Sequence, residues 1–133
     1  MATTTDTLPI SNGDDIVRVR QKVRVRATEI GLSLVDQTKL ITVASELARN
    51  ALDYGRGGQA DIETIGDPKR GVRIVFRDKG PGIPDIPRAM IDGFTSGNGL
   101  GHGLGGAKRL VDDFHIESRV GEGTTVTIAR WKR

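Results

Sequence analysis

From Ser33 to Tyr54, Leu40, Ile41, Ala44, Leu47, Ala48, Ala51 and Leu52 recur at helical spacing and predict an amphipathic helix. Ser33 is placed to cap its start and Gly55 to end it. Upstream, Val17-Arg-Val-Arg-Gln-Lys-Val-Arg-Val-Arg26 carries two periods at once. Its alternation predicts a strand, while Val19, Val23, Ala27 and Ile30 share one helical face. A short strand near Ile16–Val19 running into a helix that ends at Gly31 satisfies both. Its basic residues read as a solvated face, with a docking surface as the alternative.

Downstream, Ala60–Ile65 and Val72–Phe76 predict two strands of a hairpin, joined by the Asp67-Pro-Lys-Arg-Gly71 turn. Ile86–Ile91 predicts a short helix and Ala107–Phe114 another. Phe114–Ser118 and Thr124–Trp131 predict a second hairpin around Gly121-Glu-Gly123. Residues 1–13, polar and Thr-rich, read as a mobile tail, with one domain over 14–133. Helices and hairpins interleave without strict βαβ alternation. The expected fold is therefore a two-layer α/β (α+β) sandwich, its sheet mixed but mostly antiparallel and covered by helices on one face.

Composition narrows the chemistry. A chain of 133 residues fits one self-supporting domain. Without cysteine there is no disulfide framework, thiol nucleophile or cysteine zinc site, which fits a cytoplasmic protein. No apolar run approaches the ~18 residues of a membrane span, and the first residues lack the pattern of a secretory signal. A net charge of +3, from 20 basic and 17 acidic residues, demands no nucleic-acid partner. With aromatics at 4%, few stacking platforms exist for single strands.

Three segments carry candidate chemistry. Glu46, Asn50 and Asp53 recur at i, i+4 and i+7 and share a helix face beside the apolar stripe. They read either as surface polarity or as a site. In a site, the Asn50 amide oxygen suits Mg²⁺, which takes hard oxygen ligands, and Glu46 suits a general base. Asp78-Lys-Gly-Pro-Gly82 reads as a strand-end turn or as a nucleotide contact. In the second reading Gly80 and Gly82 let a flat ligand approach the backbone. The Asp78 carboxylate then accepts from the exocyclic amine of adenine, a bond of roughly 1.5–3 kcal/mol. The third segment holds six glycines between 97 and 106 and reads as a mobile phosphate cover leading into a helix. Lys108, in the first turns of that helix, and His102 read as phosphate contacts or as solvated side chains. Gly101-His-Gly-Leu-Gly-Gly106 lacks the preceding strand of a dinucleotide fingerprint. A Walker loop needs Ser or Thr after the lysine, and Arg109 stands there. The signatures of eukaryotic-type protein kinases are absent.

Glu46–Asn50, Asp78–Gly82 and Gly97–Gly106 resemble, in order, the N box and the first and second glycine boxes of the GHKL superfamily of gyrase, histidine kinase and MutL ATPases. Within it, Ser45–Asn50, Asp78–Asp85 and Gly103–Phe114 look like the small bacterial serine/threonine kinases of partner-switching pathways, the stressosome switch kinases of the anti-sigma regulatory kinase family. The likeness runs from about residue 14 to the end. It implies a Bergerat-type fold and a protein serine/threonine kinase using Mg-ATP. Glu46 would be the base, Asn50 the metal ligand and Asp78 the adenine reader. The implied nucleotide site adds Asp53, Gly80, Gly82, Ile83, Thr95, Gly99, Leu100, Gly101, His102, Gly103, Leu104, Lys108 and Thr125. The implied substrate is a Ser or Thr of a STAS-domain scaffold or antagonist protein. On release, the kinase would activate a PP2C-type phosphatase by binding. Two alternatives stand beside this: an anti-sigma kinase that sequesters a sigma factor, and an ATP-gated binding module with little catalysis. No predicted helix carries a phosphoacceptor histidine, which argues against a self-contained histidine kinase.

Overall fold

Two helices lie on one face of a five-stranded sheet whose order is β1-β2-β3-β5-β4. The computed structural model describes residues 2–66, 68–83, 86, 90 and 103–133. The elements are β1 (Ala2–Ile10), α1 (Gly13–Ile30), α2 (Leu34–Asp53), β2 (Gly58–Ile65), β3 (Gly71–Asp78), α3 (Gly103–Arg109), β4 (Asp113–Arg119) and β5 (Gly123–Trp131). Every strand pairing among the described residues is antiparallel. The expected two-layer sandwich and both hairpins, β2–β3 and β4–β5, are present.

The N-terminal residues are not a free tail. Residues 2–10 pair along the whole of β2 as an edge strand. Ile10 is fully buried, and Asp6, on the same side, receives Arg26 of α1 through two hydrogen bonds of 2.6 and 3.0 Å. Thr5 and Thr7 face solvent, so the segment is polar by count but alternates like a strand, and threonine is β-branched. Pro9 is tolerated because β1 is at the edge.

The strand predicted near Ile16–Val19 is helix from Gly13 onward. Asn12 caps it, its side chain accepting from the Asp15 amide at 3.0 Å. Val19, Val23 and Ala27 are fully buried at i, i+4 and i+8, whereas Val17 and Val25, which supplied the alternation, lie on the open face. Gly31 closes α1 with φ 89° and its amide on the Thr28 carbonyl, as expected. Ser33 then caps α2, accepting from the Asp36 amide at 3.1 Å. Such caps contribute about 1 kcal/mol each. The three-residue link 31–33 folds α2 back along α1.

On the sheet, Ala60 and Ile62 of β2, Val72, Ile74 and Phe76 of β3, and Val126 and Ile128 of β5 point towards the helices and are buried. The opposite face is polar. There Glu63 pairs with Arg73 at 2.8 Å, and Asp61 with Arg77. The helix predicted over Ala107–Phe114 sits earlier and is shorter. Leu104, Ala107 and Val111 share one side and enter the core, and the chain turns into β4 at Asp113. Lys108 is therefore exposed in the last turn of α3, not near its start. Of the expected helix over Ile86–Ile91, only one turn is described, the Met90 amide donating to the Ile86 carbonyl at 3.0 Å.

One charged pair crosses the core. Arg130 of β5 grips Asp36 of α2 at 2.6 Å and 3.2 Å, both side chains being nearly buried. Arg130 also donates to the Leu110 carbonyl at 3.4 Å, just after α3. The Arg130 hydrogen bond holds the Asp36 carboxyl below the usual carboxylate range. Removing one partner strands the other charge, so Asp36→Ala should cost about 3–5 kcal/mol in urea unfolding. The stability that this depressed carboxyl supplies is complete above its unfolded value of 3.8 and is lost as pH falls through the folded pKa. Below about pH 4, wild type should therefore lose stability more steeply than Asp36→Asn. Parallel pH curves for the two chains would contradict this.

Candidate nucleotide site

The C-terminal end of α2 and the C-terminal end of β3 meet at Gly55. The Asn50 carbonyl accepts from the Tyr54 and Gly55 amides at 2.9 and 3.2 Å, which closes the helix. Gly55 is buried and lies directly against the Asp78 side chain. The turn that ends α2 thus brings two of the predicted segments together. Glu46 and Asn50 are half-buried on one face of α2, flanked by the buried Leu47 and Ala51. Asp53, one turn on, is exposed, and Arg49 is exposed a quarter-turn away.

Asp78 is fixed through one oxygen. Its Oδ1 accepts from the Gly80 amide at 2.9 Å and the Thr124 amide at 3.2 Å. No described group donates to Oδ2, so that oxygen keeps its lone pairs for a ligand.

The turn after Asp78 is held by the β4–β5 hairpin. Ser118 Oγ accepts from the Ile83 amide at 2.7 Å and donates to the Gly123 carbonyl at 3.1 Å. Thr124 Oγ1, 2.7 Å away, then donates to Ser118, so every proton in the cluster has an acceptor. The Gly121 amide adds a bond to the Pro81 carbonyl at 2.8 Å. Gly82 has φ 81°, and a Cβ there would stand 2.3 Å from the Arg119 carbonyl oxygen. A Cβ on Gly80 would stand 2.5 Å from Gly55 Cα. Both glycines were expected to make room for a flat ligand. Their missing side chains make room for the protein's own backbone.

Thr125 is corrected in the same way. It pairs with Arg77 and Glu117 on the polar outer face, one residue out of phase with Asp78. Thr124 is the threonine beside Asp78. Counting back by two from the inward Ile128 and Val126 reaches Thr124, so this signal was present in the sequence. Ser118 and Gly55 were missed because only the folded chain brings Gly55 to Asp78 and Ser118 to the turn that follows it.

Ile83 packs half-buried against the core, and Leu104 is buried within it, so its described role is to anchor α3 on α2. Gly103 begins α3. Thr95, Gly99, Leu100, Gly101 and His102 lie outside the described residues, as do residues 97–102 of the expected phosphate cover over 97–106, whose last four residues are the start of α3.

The model of the family described as histidine kinase-, DNA gyrase B-, and HSP90-like ATPase matches residues 35–133. This chain belongs to that GHKL family. It is 48% identical over 120 residues to the serine/threonine-protein kinase RsbT of Bacillus subtilis (strain 168), a likeness covering 90% of each chain. It is 30% identical over 118 residues to the anti-sigma F factor of Geobacillus kaustophilus (strain HTA426), covering 84% of this chain and 80% of that relative. A crystal structure of the RsbU and RsbW domains of a Mycobacterium tuberculosis protein superposes over 98% of this chain and 33% of that one. Its TM-score is 0.69 at 24% identity, which shows the shared fold. Through its kinase relative this GHKL chain stands with the serine/threonine kinases of the family, and ATP is the nucleotide of such a domain.

Ser118 is one part of this GHKL domain that its sequence boxes leave out. Ser118→Ala deprives the Ile83 amide of its acceptor and should cost about 1–3 kcal/mol. An unchanged denaturation midpoint for that variant would show that the turn does not depend on it.

Proposed function

We propose that this chain is a serine/threonine protein kinase that moves the γ-phosphoryl group of ATP to a Ser or Thr of a STAS-domain partner in a bacterial stress-signalling pathway. The observation that carries the reading is the placement of Glu46 one turn before Asn50 on the half-buried edge of α2, the helix whose end meets Asp78 at Gly55. The likeness to a serine/threonine-protein kinase over nine-tenths of the chain supports it.

In this reading Asp78 Oδ2 accepts from the adenine amine, and Oδ1 stays on the Gly80 and Thr124 amides. Guanine, with a carbonyl in place of that amine, is repelled. The acceptor hydroxyl attacks the γ-phosphorus, its proton passes to the Glu46 carboxylate, and ADP leaves with the electrons of the broken P–O bond.

Asn50 offers a neutral, hard amide oxygen, which suits Mg²⁺. No group of three or more His, Asp or Glu side chains that could hold a metal ion occurs among the described residues. A cation here would thus take most of its ligands from phosphate and water, as Mg²⁺ does. When bound, Mg²⁺ neutralises phosphate charge. No helix of the described residues is long and apolar enough to cross a membrane, and a cytoplasmic setting is part of the proposal. Once released from its substrate, the kinase would activate a PP2C-type phosphatase by direct binding. The anti-sigma F relative favours a second reading, in which a sigma factor is the bound partner. Labelled-phosphate transfer to a STAS protein, run against pull-down of a sigma factor, separates the two.

Glu46→Ala should keep ATP affinity while single-turnover transfer falls ~10²–10⁴-fold. Undiminished transfer would remove Glu46 from the role of base. Asp78→Asn should weaken ATP binding by roughly 10- to 100-fold in calorimetry, and wild-type affinity there would contradict the adenine assignment.

A further inference from the structure

Gly55 belongs to none of the segments read as a site, yet it is buried directly against the Asp78 side chain. A Cβ placed on Gly55 would stand 2.4 Å from Asp78 Cγ and 2.6 Å from both Cβ and Oδ2. Real Cβ atoms do not approach so closely. The backbone itself does not call for glycine. Gly55 is not among the residues with positive φ, whereas Gly57, two residues on, has φ 96°. What excludes a side chain at 55 is therefore space, and the three atoms nearest to that space all belong to the Asp78 side chain. The carboxylate has little freedom to yield, because Oδ1 is tied to the Gly80 and Thr124 amides. Gly80 closes the other side, since its own Cβ would strike the Gly55 backbone.

We propose that Gly55 is a positioning and specificity-determining residue of the nucleotide site: it holds open the space in which the Asp78 carboxylate stands, with Oδ2 free to read the base. This rests on the adenine-reading role proposed for Asp78. Any side chain at 55 forces the whole Asp78 side chain, its Cβ included, to shift, which breaks one or both bonds to Oδ1 and carries Oδ2 away from the base. Glu46 and Asn50 are not among the atoms that a Cβ at 55 meets first. The predicted loss is therefore one of base discrimination.

The test compares ATP with purine riboside triphosphate, which lacks the 6-amino group, by calorimetry on the full chain. Wild type should favour ATP by roughly 10- to 100-fold, the range for a hydrogen bond to a charged group. In Gly55→Ala the ratio should fall to near one, and adding Asp78→Ala should cause no further loss of ATP affinity, because both changes remove the same contact. A Gly55→Ala chain that keeps the wild-type ratio, while Asp78→Ala loses it, overturns this proposal and leaves the adenine assignment standing. A wild type that does not discriminate overturns both. If Gly55→Ala is too unstable to titrate, the contact is read from melting temperatures. Asp78→Gly added to Gly55→Ala should raise the melting temperature by removing the colliding atoms, and a double variant that melts no higher than Gly55→Ala overturns the proposal.

Discussion

At the end of β3 three stretches of chain meet one carboxylate. Asp78 Oδ1 receives the Gly80 amide from its own turn and the Thr124 amide from β5, and the Asp78 side chain lies on Gly55 at the end of α2. Ser118 and Gly121 add the β4–β5 hairpin by gripping Ile83 and Pro81. A buried amide without a partner costs more than a made bond contributes, so these groups hold one another in a single arrangement. The turn is consequently part of the scaffold, and a ligand meeting Oδ2 meets a group already oriented.

The same helix is held at its other end by charge. Asp36, in the first turn of α2, is clamped by Arg130 from the inward face of β5. Arg130 reaches the Leu110 carbonyl as well, and Asp112 receives Arg133 at 2.7 Å. This network ties the strap between α3 and β4 to the start of α2. Glu46 and Asn50 lie between the two anchored ends, one turn apart on a helix whose buried side is Val43, Ala44, Leu47, Ala48 and Ala51. Their spacing is a property of the helix, and their position relative to Asp78 is a property of both anchors. A site for transferring a phosphoryl group depends on such fixed geometry more than on any single side chain.

How much of this was legible varies with the kind of interaction. The helix α2, its Ser33 cap, the Gly31 stop and both hairpins follow from local rules and stand where those rules put them. The polar trio of α2 was equally legible, since residues four apart share a face on any helix. Errors arose where a local pattern had two explanations. Val17 and Val25 mimicked a strand because the deciding fact, which valines touch the sheet, is not local. The Thr-rich start resembled a tail because its outward residues are polar, yet Ile10 and the Asp6–Arg26 pair dock it. The start of α3 was placed too late because glycines discouraged a helix there. Burial of Leu104 and Ala107 on α2 overrides that weak propensity.

By itself the sequence determined α2 with its cap, the stop of α1, both hairpins and the residue types able to meet a nucleotide. Those depend on period, caps and turns, which act over a few positions. Alternation back from Val126 selects Thr124 over Thr125, but only the tertiary structure decided that it meets Asp78, that Ser118 holds the following turn and that Gly55 must lack a side chain. Each of those facts is a contact between segments tens of residues apart. Strand register and close backbone approach settle such contacts, and neither is written in any local run of residues.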